Sequence, residues 1–265
     1  MGRNSKETLP RFTRGTWESG EIVTRIGNGE IGGKASGLVR LREALEAESG
    51  LGEGSCFQVT IPRMVVLPSG MFDSFMELNG LRKLALSQAS NARITQAFAA
   101  ATLPPEYLGD LRDFISQVDA PLAVRSSSLL EDALHHPFAG VYSTKMIPNN
   151  QPDTDTRFQR LVEAIRYVYA STYLKPAQNY FQGAGLDHAS EKMAVIIQEV
   201  VGNRHGDRFY PRLSGVARSF NYYPSGGAKP TDGVVNLALG LGRQIVDGGL
   251  SWSYAPPFPS APPPV

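Results

Sequence analysis

An α+β fold is predicted, with a helix-rich lobe first and a sheet-rich lobe after it. Three observations carry this. Between residues 69 and 119 apolar side chains recur three and four apart: Met71, Phe72, Phe75, Met76 and Leu78, then Leu108, Leu111, Phe114, Ile115 and Val118. From residue 121 onward short apolar runs between turn residues take over, at Pro121–Arg125, Met193–Val201 and Val234–Leu239. Hydrophobic residues fill 42% of the 265 positions, enough to bury a core in one large domain or two small lobes.

Four segments follow in order. Residues 1–20 read as an irregular arm, 21–119 as the helix-rich lobe, 120–250 as a mixed or antiparallel sheet lobe with flanking helices, and 251–265 as a Pro-rich tail or linker. The first lobe opens on IGNGEIGGKASGLVRLREALEAE, where a glycine-rich loop runs into helical spacing at Leu38, Leu41 and Leu45. Phe57–Leu67 is strand material interrupted by Pro62. Pro68-Ser69-Gly70 starts a helix with Ser69 as its N-cap, and Asn79-Gly80 ends it. Residues 81–103 are loosely helical, and Pro104-Pro105 opens the next helix. In the second lobe a polar break at Gln151–Asp155 precedes a helix carrying Phe158, Leu161, Val162, Ile165, Val168 and Tyr169 on one side. Residues 202–213 form a turn-rich basic loop, Gly215–Tyr223 is a further strand candidate, and Gly240–Gly249 has the character of a tight turn. The proline-rich end is expected to extend neither sheet nor helix.

Composition excludes several functions. A net charge of +1 provides no bulk attraction for nucleic acid or acidic membranes. The short basic loop Arg204–Arg212 contains Asp207 and reads as solvated. Cys56 is the single cysteine, so neither an internal disulfide nor a thiolate metal cluster is available, and the four histidines lack metal-ligand spacing. The polar, basic N-terminus has no apolar stretch of a secretory signal, and Lys6 stands where a myristoylation motif needs Ser or Thr. No apolar run approaches the ~20 residues that span a bilayer. A soluble, cytoplasmic protein is expected.

The stretch richest in chemistry is Ala123–Thr144, AVRSSSLLEDALHHPFAGVYST. Arg125 leaves a short strand and offers a planar fork of donors suited to phosphate; a structural pairing with Glu131 or Asp132 is the alternative. Ser126, Ser127 and Ser128 suit helix N-caps as well as ligand contacts. His135 and His136 read as loop histidines. A second phosphate-like feature is Gly32-Gly33-Lys34, a glycine loop opening a helix. It does not match the Walker A pattern, since Ala35 follows the lysine, and by itself it suits a surface lysine better than a phosphate ligand.

Seven blocks in order give these features a context: GGKASGL at 32–38, IPRMVVLPSG at 61–70, AVRSSSLLED at 123–132, PFAGVYST at 137–144, VIIQEVV at 195–201, SGV at 214–216 and GLGRQIVDG at 240–248. Together they resemble the N-terminal nucleotide-binding region of the phosphoenolpyruvate synthase and pyruvate phosphate dikinase family, nearer to the synthase. The resemblance implies an ATP-grasp fold, with ATP clamped between two lobes and Mg²⁺ on its phosphates. It also implies partner domains: a phosphohistidine carrier and a pyruvate-binding barrel. Rifampin phosphotransferase and glucan, water dikinase share the module with other acceptors. By motif, Lys34 matches the phosphate-binding lysine, and Arg125 the arginine that contacts the phosphates and acts in catalysis. Gly140 and Thr144 match the turn over the triphosphate. Gln198 matches the polar residue on the adenine side, with structural water as its alternative partner, and Glu199 and Val201 fall in the hinge reading the adenine edge.

Two departures stand out. Asn236 is near the place of a family glutamate, and Arg243 stands where Glu often follows Gly-Leu-Gly. The family's acidic metal ligands are expected beyond Val265, which suggests a fragment of a longer enzyme without turnover of its own. A degenerate binding or regulatory module is the non-enzymatic alternative.

Overall fold

Strands from both expected lobes meet in one sheet. The computed structural model describes residues 9–47, 59–129, 140–246 and 248–259. Met1–Val200 and Val201–Val265 form two compact units.

In the first unit the strands are β1 (Val23–Arg25), β2 (Met64–Leu67), β3 (Leu122–Ser128), β4 (Thr144–Ile147) and β5 (Met193–Glu199), ordered β1-β2-β5-β3-β4. Only β1 and β2 run parallel; the other pairs are antiparallel. The expected boundary near residue 119 therefore falls inside this unit, because β2 pairs with β5 residue for residue from Met64↔Gln198 to Leu67↔Val195. The helices are α1 (Arg14–Glu18), α2 (Gly32–Ala47), α3 (Ser69–Leu78), α4 (Arg82–Ala85), α5 (Asn91–Ala100), α6 (Pro105–Gln117), α7 (Thr154–Ser171) and α8 (Lys175–Ala184).

Alternation along the strands separates two cores. On one face Val65, Leu67, Leu122, Val124, Val195 and Ile197 pack with Phe72, Phe75, Phe98, Phe114 and Tyr169 from the helices. Tyr169 lies 5.1 Å from Phe72 and 5.2 Å from Phe75, ring to ring. Each fully buried ring of this kind contributes ~1.5–3 kcal/mol relative to exposure. On the other face Val23, Met64, Val66 and Ile196 meet Ala35 and Val39 of α2. Burial on both faces explains why β2 and residues Met193–Ile197 of β5 are apolar without alternating.

Local chemistry sets the helix limits. Asp153 caps α7, its carboxylate accepting from Thr156 N at 2.7 Å. Gly185 ends α8 in the left-handed region at φ 66. Ser69 is not the N-cap of α3. Pro68 occupies that place, and Ser69 Oγ instead accepts from Glu30 N at 3.1 Å, pinning the glycine loop. The expected arm contains α1, because Phe12 and Trp17 are anchored in the larger core beside Phe114.

After α8, His188 Nε2 lies 2.6 Å from Thr172 O, and its ring stacks on Phe181 at 4.5 Å. Burial pushes this imidazole below its usual range, against the effect of the Thr172 carbonyl and Asp187. A depressed histidine contributes stability that is present above the unfolded value of about 6.5 and lost as pH falls below it. Urea midpoints should therefore decline between pH 7 and pH 5, and His188→Gln should make that decline shallower.

The second unit contains β6 (Asn203–His205), β7 (Arg208–Tyr210), β8 (Leu213–Arg218), β9 (Val234–Leu239), α9 (Arg243–Val246) and β10 (Trp252–Tyr254). The basic loop is an antiparallel β6–β7 hairpin turning at Gly206 (φ 61). The strands β10-β9-β8 form an antiparallel sheet. Its third strand corrects the expectation for the tail: Trp252–Tyr254 precedes the first proline of the run and pairs with Leu237–Val235. The expected tight turn at Gly240–Gly249 includes the single helical turn α9. Among the described residues no helix is long and apolar enough to cross a membrane.

Candidate functional site

Strand alternation decides which predicted residues share a face. Arg125 is opposite Thr144 on one side and Ile196 on the other; Gln198 is opposite Ala123 and Met64. Ile196 and Met64 belong to the core beneath α2, so Arg125, Thr144 and Gln198 lie on that same face. Here the sheet is not fully covered. Thr144 is exposed, Met146 is 57% exposed, and Arg125 is half-buried.

The start of α2 is built onto β3. Gly32 adopts φ +75, and a Cβ there would lie 1.7 Å from Ser127 O. Only glycine permits this approach. Ser127 Oγ accepts from Ala35 N at 3.0 Å and donates to Ile31 O at 2.8 Å. A strand serine thus satisfies a helix-start N–H that an N-cap side chain would ordinarily take. Beside it, Lys34 Nζ donates to Ser126 Oγ at 3.2 Å. The glycine loop and the Arg-Ser-Ser-Ser strand, 92 residues apart in sequence at Lys34 and Ser126, therefore form one local structure. Ser126, Ser127 and Ser128 are strand residues and cap no helix of their own; the cap that Ser127 does supply belongs to α2.

Arg125 Nη1 donates to Gln198 Oε1 at 3.2 Å, and Gln198 Nε2 donates to Pro62 O at 3.3 Å. The amide is held at both ends, and the contact to Arg125 uses one of five guanidinium donors. Arg125 and the α2 start anchored by Ser127 thus share one sheet face, while alternation puts Ser126, the partner of Lys34, toward the larger core. A guanidinium beside a helix N-terminus suits an anion.

The remaining predicted residues are placed differently. Glu199 is opposite Leu122, and alternation puts its side chain on the face of Ile197 and the larger core. Its N–H donates to Arg63 O at 2.9 Å. Burial raises its carboxyl above the usual range, and Arg63 pulls the other way. Gly140 sits in an exposed turn at φ 77, leading through the buried Tyr142 into β4. Val201 opens the second unit, which also contains Asn236 on β9 and Arg243 on α9. Glu131, Asp132, His135 and His136 lie outside the described residues. Sequence reasoning missed Gly32 and Ser127 as the joint between α2 and β3. The available signal was parity, since Ser127 is two residues from Arg125 on a strand.

Among the described residues no group of three His, Cys, Asp or Glu side chains could hold a metal ion.

Residues 28–254 match the family described as pyruvate phosphate dikinase, AMP/ATP-binding domain. The chain belongs to this family. All seven predicted site residues fall within the match, and the α+β architecture agrees with it. Similar proteins include a rifampicin phosphotransferase of a Streptomyces species, 30% identical over 162 residues covering 59% of this chain. A phosphoenolpyruvate synthase of Aeropyrum pernix is 30% identical over 127 residues, 48% of the chain. Another of Aquifex aeolicus is 25% identical over 210 residues, 72% of the chain. The matched segments cover 16%, 13% and 23% of those proteins' own lengths.

Proposed function

We propose that ATP lies on the α2-side face of the five-stranded sheet, in the nucleotide-binding part of a phosphoenolpyruvate synthase-like phosphotransferase. The observation that supports this is the placement of Arg125, Thr144 and Gln198 on the face where Ser127 anchors the start of α2, with Lys34 held to the adjoining Ser126. Lys34 and Arg125 neutralise phosphate charge, and Gly140 and Thr144 close over the triphosphate. Phosphoryl transfer needs this positioning and neutralisation more than covalent help, which makes Arg125 the catalytic residue of this face. Gln198 turns to the adenine, next to the hinge of Glu199 and Val201. The Arg125–Gln198 hydrogen bond is then exchanged on binding: the guanidinium moves to phosphate oxygens and the amide to the base. An ATP-grasp clamp is the architecture this reading requires.

In the whole enzyme, ATP, pyruvate and water would give phosphoenolpyruvate, AMP and phosphate through a phosphohistidine on a partner domain. The cell compartment in this reading is the cytoplasm. The rifampicin phosphotransferase match, 30% identical over the longer 162-residue stretch, favours a second reading in which the acceptor is an antibiotic. Incubating the 265-residue chain with ATP, Mg²⁺ and either pyruvate or rifampicin, then assaying AMP, tests the division of labour. The expected result is ATP binding without AMP formation. AMP formation dependent on pyruvate would overturn the need for further domains, and dependence on rifampicin would overturn the synthase assignment.

A further inference from the structure

The opposite face of the same sheet borders a cavity in which several cationic side chains stand among apolar ones. It lies between α5, α7 and the edge strand β4 and has a volume of about 530 Å³. Lys145 alternates with Thr144, so it points away from the nucleotide face, and its Nζ lies 5.8 Å from the Tyr167 ring centroid on α7. The cavity collects three cations, Lys145, Arg160 and Arg166, against one carboxylate, Glu163, which pairs with Arg160 at 3.0 Å.

Two polar atoms here lack a hydrogen-bond partner among the described residues. Arg166 Nη1 donates to Ala99 O at 3.0 Å, but its buried Nε finds none, and neither does the buried Gln151 Oε1. Burial also works against the charge on Arg166, opposed by Glu163. A half-buried guanidinium with an unused donor, lining the same cavity as an unused acceptor, is costly unless a ligand partners them. The first atom needs an acceptor and the second a donor, and the three surrounding cations favour an anionic acceptor. A phosphate carrying P–OH supplies both, as does a hydroxycarboxylate.

We propose that this cavity is a second ligand site, separate from the nucleotide face, for a small oxyanion that carries a hydroxyl. Its oxygens accept from Arg166 Nε, Arg160 and Lys145, and its hydroxyl donates to Gln151. The volume lies within the range of metabolite sites and leaves room for a body beyond the anionic head.

Chemical-shift titration of the ¹⁵N-labelled chain tests this, with inorganic phosphate, citrate and sodium chloride at equal ionic strength. Saturable shifts of the Gln151 side-chain amide, Arg166 Nε–H and the Ala99 amide are expected with at least one oxyanion and not with chloride. Response to phosphate alone identifies a phosphoryl ligand, and to citrate alone a carboxylate. Affinity should fall about tenfold or more in Arg166→Gln and in Arg160→Gln, the loss of roughly one charge-assisted hydrogen bond. Arg160→Gln leaves the Arg166–Ala99 bond in place and keeps the test valid if Arg166→Gln does not fold. Arg125→Ala should leave these shifts unchanged, which separates this site from the nucleotide face. Shifts equal to those in chloride, or undiminished in both variants, would overturn the proposal.

Discussion

Gly32→Ala should destabilise the first unit by about 3 kcal/mol or more, lowering its melting temperature by roughly 6–12 °C. The new Cβ would sit 1.7 Å from Ser127 O, a backbone atom held in the ladder to Ala194 of β5, so the strand cannot yield cheaply. The left-handed φ of +75 adds strain for any other residue. The start of α2 would have to lift, breaking the Ala35–Ser127 and Lys34–Ser126 hydrogen bonds together. Gly37→Ala, one turn and more along the same helix with open space around its Cβ, is the control. It should be neutral or stabilising by about 0.5–1 kcal/mol, as expected for a helix interior. Thermal unfolding of the two variants separates a general intolerance of α2 from the specific joint. Equal losses would mean that Gly32 does not hold α2 onto β3.

Arg125→Ala should weaken ATP binding about 10- to 100-fold by calorimetry, the range expected for losing one or two charge-assisted hydrogen bonds to phosphate. Arg125→Lys retains the charge but not the planar fork, so it should recover only part of the loss. The fold should tolerate both changes, because Arg125 is half-buried and its described hydrogen bond is to a side chain, Gln198, whose second contact at Pro62 O remains. Unchanged ATP affinity in Arg125→Ala would remove Arg125 from the site.

Much of this was readable from residue order. The apolar run Met193–Ile197 announces a strand buried on both faces, and Phe158 to Tyr169 announce the face that α7 buries. Lys34 and Arg125 were legible as phosphate-like residues. What joined them was not, because it depends on a β3 backbone carbonyl meeting a glycine 95 positions earlier, at Gly32 and Ser127. Local propensity contains no such information. The sheet was misjudged for the same reason. Val23–Arg25 and Met64–Leu67 are short strands among helices, and they become the far side of the sheet only through pairing with β5. Ser126 to Ser128 read as caps because serine favours them, yet the ladder to Val195, Ala194 and Met193 extends the strand through all three. Glu199 belonged to an apolar run whose alternation was hidden, so its turn away from Arg125 and Gln198 became visible only from the register.

The central claim is that the nucleotide occupies the α2-side face of the sheet. Amide hydrogen exchange with and without ATP locates it most directly. The expected result is slowed exchange in the loop and helix start at residues 27–36 and in the turn and edge strand at residues 140–146, with α5 and α7 unchanged. Slowing confined to α5 and α7, or no slowing in either segment at saturating ATP, would contradict it.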